Sequence, residues 1–416
     1  MMPEVRERYA QVRNGIIPQG YKQTAVGIVP QEWNGFSLGE VYTERKQAGN
    51  PSLPVLSVSI HSGVSEGELD EESLGKKVKR IEDKTQHRTA LEGDLVFNMM
   101  RAWQGAIGVV RNRGLVSPAY IVAKPSDQVY PPFMDYYMQT PRMINLIQRM
   151  SYGVTDFRLR LYWDSFEQIP CVLPPLHEQK RIVEILRAQD TIIHLGQQRI
   201  EQIKRMKKAL LKGMFPQKDS AMPEIRFPGF AVPWEQRKLG EICQVTMGQS
   251  PDGSTYSETP SDYILVQGNA DLKDGWVFPR IWTTQKTKTA EAGDLIMSVR
   301  APAGAMGKTS YNVVLGRGVA GIKGNEFIYQ SLVKMDSDGY WKKLAAGSTF
   351  ESINSDVVNG AELVVPQDIA EQNKIGEYFS SIDHLITLRQ RELEEEQRKK
   401  KALMQLLLTG LVRVNA

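Results

Sequence analysis

The chain has 416 residues, of which 41% are hydrophobic and 24% are charged, a composition that suits a globular protein with two separate cores. Its formal net charge of +4 is too mild to establish nucleic-acid binding by itself. It has two cysteines, five scattered histidines and no CxxC spacing, and no apolar run approaches the ~18 residues that span a bilayer. A structural zinc site and a membrane protein are therefore not expected, and a reducing cytoplasm is the expected compartment.

Residues 30–170 and 231–365 contain short apolar runs that Gly, Pro, Asn and Ser interrupt closely. This pattern is typical of α+β domains with short, partly antiparallel strands. The clearest expected strands lie at 55–58, 94–97, 263–266 and 294–297. The segment 215–233 contains four prolines, which predicts an extended connector between two modules.

Two long helices are predicted at 177–213 and 370–407, where apolar residues recur at steps of three and four. At about 1.5 Å per residue, each helix would be roughly 50–55 Å long. Neither apolar stripe is wide enough for burial on every side, so each helix needs a partner. The two stripes coincide under a shift of 193 residues, which favours an antiparallel coiled-coil pair over two unconnected terminal helices.

The second half of the chain repeats the first. Trp33 recurs as Trp234, Arg101 as Arg300 and Glu178 as Glu371, at shifts of 201, 199 and 193 residues. The shift changes only between these anchors, which indicates one globular module that was duplicated and whose loops then diverged. Two similar modules at a fixed separation suit a target with two parts.

Four segments carry a resemblance to a known family. Residues 21–33 and 223–235 each lead into a predicted globular domain, and residues 173–179 and 364–372 each lead from that domain into a long helix. In this combination the chain resembles the specificity subunit of type I restriction–modification systems over nearly its whole length. The second copy has Pro366-Gln367 where the first has a doubled proline.

The resemblance implies two target-recognition domains in a pseudo-two-fold arrangement, separated by two long antiparallel coiled-coil helices. The corresponding segments are 1–175, 176–215, 216–368 and 369–416. Each domain would read one half of an asymmetric, bipartite site in double-stranded DNA, and half-sites one helical turn apart lie roughly 34–36 Å from each other. Methyltransferase subunits would dock on the helices and a motor–nuclease subunit would join them. S-adenosylmethionine, ATP and Mg are expected on those partners and not on this chain.

Candidate DNA-binding residues lie in both modules. Arg101 and Arg300 each open an Arg-Ala-x-x-Gly-Ala-x-Gly turn, where small residues let the backbone approach a ligand and arginine can make bidentate contacts to guanine or phosphate. A tight turn with a structural arginine is the alternative. Other basic, amide and hydroxyl groups in aligned loops could contact phosphate or read adenine. The DNA-binding candidates are Lys84, His87, Arg88, Arg101, Gln104, Thr155, Arg158, Arg160, Gln267, Asn269, Lys286, Lys288, Arg300, Ser348 and Thr349. The candidates for partner docking are Arg199, Lys204, Arg391, Glu394, Glu395 and Glu396.

Catalytic motifs are weak in this chain. The Tyr130-Pro-Pro-Phe run resembles an amino-methyltransferase motif, but tyrosine lacks the side-chain carbonyl that accepts from the target amine. Residues 307–309 match only the end of a phosphate-binding loop. Asp252, Asp271 and Lys273 have the residue types of a Mg²⁺-dependent nuclease core, although the region is loop-like. A non-catalytic DNA-recognition subunit is therefore predicted; the alternatives are a stand-alone nuclease and a duplicated protein-binding scaffold.

Overall fold

The computed structural model describes residues 3–60, 63–65, 86–153, 159–217, 220–344 and 352–414. The chain divides into two compact units, of which the first comprises Met1–His194 with Glu394–Ala416 and the second comprises Leu195–Leu393. The boundaries predicted above give each long helix a segment of its own, whereas here each unit includes part of both helices. Within the described ranges, no helix has the length and apolar character required to cross a membrane.

The first unit is built from short elements. Its shorter helices are α1 (Pro3–Arg13), α2 (Leu38–Val41), α3 (Pro131–Tyr137), α4 (Pro141–Met150) and α5 (Trp163–Phe166). Its strands are β1 (Tyr21–Thr24), β2 (Gly27–Pro30), β3 (Asn34–Ser37), β4 (Tyr42–Glu44), β5 (Val58–Ser59), β6 (Gly63–Val64), β7 (Arg88–Ala90), β8 (Leu95–Asn98), β9 (Ile107–Val109), β10 (Gly114–Val116), β11 (Tyr120–Pro125) and β12 (Pro170–Leu173). Strands β4, β11, β8 and β9 form an antiparallel sheet in that order, and the pairs β1–β2, β3–β12, β5–β6 and β7–β10 are also antiparallel.

The core of the first unit lies on both faces of β8. Leu95 and Phe97 belong to a large apolar cluster with Trp33 and Phe166, and the rings of Phe97 and Phe166 stack with centroids 4.7 Å apart. Val96 points to a smaller cluster on the other face. In the sequence, a strand that is buried on both faces appears as a continuous apolar run, and this made β8 predictable.

The second unit has a richer sheet. Its shorter helices are α7 (Leu239–Ile242), α8 (Glu326–Ser337), α9 (Tyr340–Leu344) and α10 (Ser355–Asn359). Its strands are β13 (Glu235–Lys238), β14 (Gln244–Met247), β15 (Tyr256–Ser257), β16 (Tyr263–Val266), β17 (Leu272–Lys273), β18 (Trp276–Val277), β19 (Ile281–Thr283), β20 (Thr289–Ala290), β21 (Leu295–Ser298), β22 (Met306–Lys308), β23 (Val313–Leu315), β24 (Val319–Lys323) and β25 (Glu362–Val365). One sheet has the order β14-β24-β21-β22-β18-β17 and another has the order β15-β19-β16-β23-β20, while β13 pairs with β25. The pairs β16–β23 and β18–β22 are parallel.

The long helices confirm the sequence prediction closely. They are α6 (Leu176–Met214) and α11 (Ile369–Leu407), each of 39 residues. In the second unit they run antiparallel, since Lys207 binds Asp383 at 2.6 Å while Gly196 lies against Leu393. Within the first unit, Asp190 of α6 and Lys400 of α11 form an ion pair at 2.5 Å. The α+β class, with two domains and two long paired helices, is confirmed.

The long helix α6 is tied to the first unit by a buried carboxylate in its first turn. Glu178 is 1% exposed; it accepts from Trp33 Nε1 at 3.0 Å and from Arg413 Nε and Nη2 at 2.8 and 2.9 Å. The next residue, Gln179, accepts from the backbone N–H of Tyr130 and donates to backbone carbonyls on either side. The repeated Glu-Gln pair is thus a structural connection between a long helix and its domain.

Helix α11 uses the same device in the second unit. Glu371 is 1% exposed and accepts from Arg226 Nε and Nη2 at 2.7 and 2.8 Å. Gln372 accepts from the Asn325 side chain at 2.9 Å. Trp234, the counterpart of Trp33, is 3% exposed, but its Nε1 has no hydrogen-bond partner in the described part of the chain. The connector 215–233, which was predicted to be extended, contains bends and turns but no helix or strand among its described residues.

Of the four expected strands, the one at 55–58 is wrong. Only Val58 belongs to a strand, and Val55 forms an isolated parallel bridge with Leu115. Pro51 and Pro54 both precede this run, and because proline has no N–H, they cannot donate to a ladder at its N-terminal side. The other three expected strands correspond to β8, β16 and β21.

Candidate nucleic-acid interface

The turn after β8 presents Arg101 and Gln104 on the surface of the first unit. Arg101 N donates to Asn98 O at 3.0 Å and opens a short 3₁₀ helix, Ala102–Gln104. Gly105 closes that helix at a φ of 99°, a conformation that favours glycine. Gln139 Nε2 donates to the carbonyl of Gly105 at 3.1 Å and supports the turn from below. Arg101 and Gln104 are both exposed, and their side chains bind no other described residue.

The turn after β21 presents Arg300 in the second unit. Gly304 has a φ of 103°, and a Cβ at this position would lie 2.5 Å from both Asp336 Oδ1 and Trp341 Cδ1. The Ser298 hydroxyl donates to the carbonyl of Arg300 at 3.0 Å. The Arg300 side chain is exposed and makes no ion pair or hydrogen bond within the described ranges. In both units the backbone of the turn is fixed while the guanidinium binds no side chain among the described residues, which favours a ligand-binding arginine over a structural one.

Backbone hydrogen bonds bring further candidates to the Arg300 turn. Gly316 N donates to Val266 O at 2.8 Å, Leu315 N to Lys288 O at 2.8 Å, and Val299 N to Gly318 O at 2.9 Å. Gln267, Lys288 and Arg300 therefore lie around the loop 316–318. We call these three residues and that loop the second-unit junction.

A smaller group forms around the Arg101 turn. Leu161 N donates to Met99 O at 2.9 Å, which places the exposed Arg160 beside the turn. Arg160 also pairs through its backbone with Tyr152, whose ring packs against that of Tyr162 at 5.1 Å. We call Arg101, Gln104 and Arg160 the first-unit junction. Both junctions combine arginine with an amide side chain.

Other candidates are placed differently. His87 is 5% exposed, and Arg88 Nη1 donates to Glu44 Oε1 at 3.1 Å, so the ring of His87 is buried and the guanidinium of Arg88 is already paired. The cause is the pairing of Arg88 with Ala48, which draws this segment into the domain. Lys286 is exposed, whereas Asn269 is partly exposed and begins a short 3₁₀ helix, Asn269–Asp271. Lys84, Thr155, Arg158, Ser348 and Thr349 lie outside the described residues.

Sequence reasoning missed one basic residue of the second-unit junction. Arg317 is exposed and lies between Gly316 and Gly318, both of which are buried. Its backbone N–H donates to the Ser250 hydroxyl at 3.1 Å. An arginine between two glycines is the signal that could have identified it, because glycines permit close backbone approach while only the arginine projects.

The candidate partner-docking residues lie on the long helices. Arg199, Arg391, Glu394 and Glu395 are exposed. Lys204 is exposed as well and pairs with Glu201 at 3.3 Å along its own helix. Glu396 is partly buried, and its carboxylate accepts from Gln189 Nε2, so it belongs to the contact between α6 and α11 in the first unit.

The three residues of the suspected nuclease core serve their own turns. Asp252 caps the 3₁₀ helix Gly253–Thr255, and hydrogen bonds from Ser254 lower the pKa of its carboxyl group. Asp271 is 5% exposed and accepts from Gln267 N at 2.7 Å. The ammonium of Lys273 lies 5.6 Å from the centroid of the Phe278 ring. Among the described residues, no group of three or more His, Cys, Asp or Glu side chains could hold a metal ion.

The two remaining look-alike motifs are ordinary structural elements. Pro131 and Pro132 occupy the first turn of α3, where the missing N–H groups have no partner to lose. Tyr130 precedes that helix, and its N–H donates to Gln179. Residues 307–308 lie within β22 and do not open a helix, as a phosphate-binding loop would require.

Comparison with known proteins gives one consistent result. Residues 30–205 and 231–396 match the family model described as the type I restriction modification DNA specificity domain. Two curated relatives come from Methanocaldococcus jannaschii. The provisionally named MjaX specificity subunit of a type I restriction enzyme is 27% identical over 376 residues, with 84% of this chain and 86% of that protein covered. The MjaVIII specificity subunit is 27% identical over 277 residues, covering 60% and 63%.

Solved structures share the fold. A chain from a study of complex assembly and conformational transition of the type I R-M system has a TM-score of 0.59 at 23% identity, and the match covers 92% of this chain and 99% of that one. The type I restriction-modification S subunit from M. genitalium has a TM-score of 0.54 at 11% identity, covering 92% and 97%.

Proposed function

The chain belongs to the type I restriction–modification DNA specificity family, and from this premise we propose that its two junctions bind the two halves of an asymmetric, bipartite site in double-stranded DNA. As a member of the family it is a non-catalytic subunit that recognises a DNA sequence. The observation that carries the proposal is the repeated turn of Arg101 and Arg300, in which a fixed backbone presents a guanidinium with no partner in the described ranges.

The chemistry of these turns fits DNA. Arginine presents donors in a fixed fork that can bind two phosphate oxygens, or O6 and N7 of guanine, at the same time. Supporting contacts from Gln139 and Ser298 hold the turns in place before DNA arrives, which reduces the ordering that binding must bring about. Because both domains keep this arginine, we assign it first to phosphate positioning, which both half-sites require irrespective of sequence.

The differences between the domains fit different half-sites. The first-unit junction contains Gln104 where the second unit has Ala303 in the aligned turn. The second-unit junction adds Gln267 and Lys288. Amide side chains can bind N6 and N7 of adenine, so each junction has its own set of base-reading groups.

The long helices would serve as the spacer and the docking site. Helices of 39 residues each are roughly 58 Å long, which is sufficient to set a gap of one DNA turn between half-sites. Methyltransferase subunits would dock on the exposed faces that carry Arg199, Lys204 and Arg391, and a motor–nuclease subunit would join them. S-adenosylmethionine, ATP and Mg would be bound by those partners. The cytoplasm is the compartment in which such a complex would meet DNA.

The test is a comparison of arginine variants in the full chain assembled with its methyltransferase partner. Sites methylated in the host genome supply the cognate DNA with both half-sites. Arg101→Ala should weaken binding through one half-site and Arg300→Ala through the other, and each should reduce the slope of log affinity against log salt by about 1. Arg237→Ala is the control, because Arg237 is exposed, pairs with Glu241, and lies on β13, whose partner in the sheet is β25 and not a strand that leads into the junction.

Two results would contradict this proposal. Wild-type complex that binds cognate and random duplexes equally would remove sequence recognition altogether. Arginine variants that lose affinity equally at both half-sites would show that the junctions do not act on separate halves.

A further inference from the structure

The loop Gly316–Gly318 of the second unit differs in sequence from the corresponding loop of the first unit, although the strands around the two loops pair in the same way. In the first unit the same position of the sheet is occupied by Ser117, Pro118 and Ala119, between β10 and β11. The registers agree: β10 pairs with β7 as β23 pairs with β20, and β11 pairs with β8 as β24 pairs with β21. The same backbone bond also recurs, from Met99 N to Ala119 O and from Val299 N to Gly318 O. Arg317 therefore stands where the first unit has Pro118.

We propose that Arg317 is a base-reading residue of the second recognition domain and that its target is guanine, contacted in the major groove. This inference rests on the proposed function and adds a specificity-determining residue to it. The first domain has no equivalent contact, because the side chain of Pro118 has no donor.

The backbone of Arg317 is fixed from three sides. A Cβ at position 318 would overlap the carbonyl oxygen of Gln267, and a Cβ at position 316 would lie 3.2 Å from the Cα of Gln267. The backbone N–H of Arg317 is bound to Ser250 Oγ at 3.1 Å. Neither glycine could be replaced without moving the loop, so the chain around Arg317 is pressed against the end of β16.

The Arg317 side chain is exposed, and no carboxylate among the described residues binds it. The nearby carboxylate of Asp271 is already bound to the backbone N–H groups of Gln267 and Gly268, at 2.7 and 3.3 Å, and lies 3.8 Å from Arg280. An exposed arginine on a rigid support, with no acceptor in the part of the chain that is described, is suited to an external ligand that offers paired acceptors.

A base is favoured over a phosphate by the comparison of the two domains. Phosphate contacts position a protein on DNA without regard to sequence, so both domains need them. The shared pair, Arg101 and Arg300, meets that need. Residue 317 differs in chemical type from its counterpart while the strand pairings on either side of it are the same, which is what reading a different base requires. Guanine is the base whose major-groove edge presents two acceptors, O6 and N7, to a guanidinium.

The experiment uses the full chain assembled with its methyltransferase partner and a pool of duplexes randomised across the second half-site. Bound DNA is sequenced for the wild type, Arg317→Ala, Arg317→Lys and the control Arg237→Ala. Both Arg317 variants should lose preference for G·C at one position of that half-site, on the order of 10- to 100-fold, because lysine keeps the charge but loses the bidentate fork. The first half-site and the Arg237→Ala profile should match wild type.

Salt dependence separates the base from the phosphate. If Arg317 reads a base, Arg317→Lys binds with the wild-type salt slope and still has relaxed specificity. If Arg317 binds phosphate, Arg317→Ala loses affinity uniformly over all sequences with a salt slope smaller by about 1, and Arg317→Lys restores binding; this result overturns the inference. Unchanged profiles in both variants would overturn it as well. Failure of the wild type to select any sequence would instead refute the proposed function. The Arg317 side chain is exposed and has no hydrogen bond or ion pair among the described residues, so unchanged melting curves are expected and would confirm that both variants fold.

Discussion

Two equivalent tryptophans have different hydrogen bonding, and this difference sets the effect of replacing each with phenylalanine. Trp33 is 1% exposed and donates from Nε1 to the buried carboxylate of Glu178 at 3.0 Å. Trp234 is 3% exposed, and its Nε1 is buried without a partner among the described residues. The two rings have the same size and similar burial, so the packing lost with phenylalanine is about equal in both.

The hydrogen bonds of the two indole N–H groups therefore determine the difference in the free energy of unfolding between the two variants. Trp33→Phe also removes a hydrogen bond to a charged group, which contributes about 1.5–3 kcal/mol. Trp234→Phe removes an unsatisfied buried donor, which itself costs about 1–3 kcal/mol. We expect Trp33→Phe to be more destabilising by about 3 kcal/mol. For a cooperative unit of about 200 residues, this difference corresponds to roughly 6–12 °C in melting temperature.

The assay is thermal unfolding of both variants, with amide hydrogen exchange to locate the loss. Weaker protection should appear in the first unit, at α2 and at the start of α6, for Trp33→Phe. A double-mutant cycle supplies the control: in a Glu178→Ala background the excess cost of Trp33→Phe should disappear. Equal destabilisation by the two substitutions, or an excess cost that persists without Glu178, would refute the reasoning.

Three further outcomes follow from packing and burial. Burial raises the pKa of Cys171 to about 12, and at pH 8 this leaves a thiolate fraction of roughly 10⁻⁴. Ellman's reagent should therefore label Cys171 only in denaturant. Rapid labelling of Cys171 in the native protein would contradict this. Gly304→Ala should destabilise the second unit by about 3 kcal/mol in urea titration, because the new Cβ would clash with Asp336 and Trp341. The control is Gly339→Ala, which should cost only about 1 kcal/mol, since Gly339 has φ 73° and nothing lies within 4 Å of its Cβ position. Equal losses would show that the clash at position 304 has no effect. Lys207→Met should cost about 1.5–3 kcal/mol by leaving the Asp383 carboxylate without its cation, and adding Asp383→Leu should recover much of this loss in the same titration.

The sequence predicted those parts of the fold that depend on local pattern. Both long helices end within one residue of their predicted bounds, because their apolar residues repeat with the helical period and prolines precede each one. Strands β8 and β21 were predictable because burial on both faces makes each an unbroken apolar run. The expected strand at 55–58 was wrong: prolines precede it at 51 and 54, and Val55 forms only an isolated bridge with Leu115.

The candidate site was less predictable because it depends on contacts between distant segments. His87 reads as a surface residue, yet the pairing of Arg88 with Ala48 buries it. Arg317 has no unusual sequence context except its two glycines, and only the bond from Val299 N to Gly318 O shows that it neighbours Arg300. Sequence periodicity contains no information about which loops meet, so residue types could be proposed there but not their grouping.

The buried carboxylates of Glu178 and Glu371 are each bound by an arginine from a distant segment of the chain. Glu371 is bound by Arg226, which comes from the connector that follows α6, and Glu178 is bound by Arg413, which comes from the tail that follows α11. Each domain is thus completed by an arginine from the chain that leaves the other module's long helix. The two arginines lie 12 and 6 residues beyond the ends of these helices, so they cannot be matched by a constant shift in the sequence. The structural repeat therefore includes two arginines that the sequence repeat does not. The position in space at which each helix ends, and not the number of residues beyond that end, determines which residue reaches the buried carboxylate.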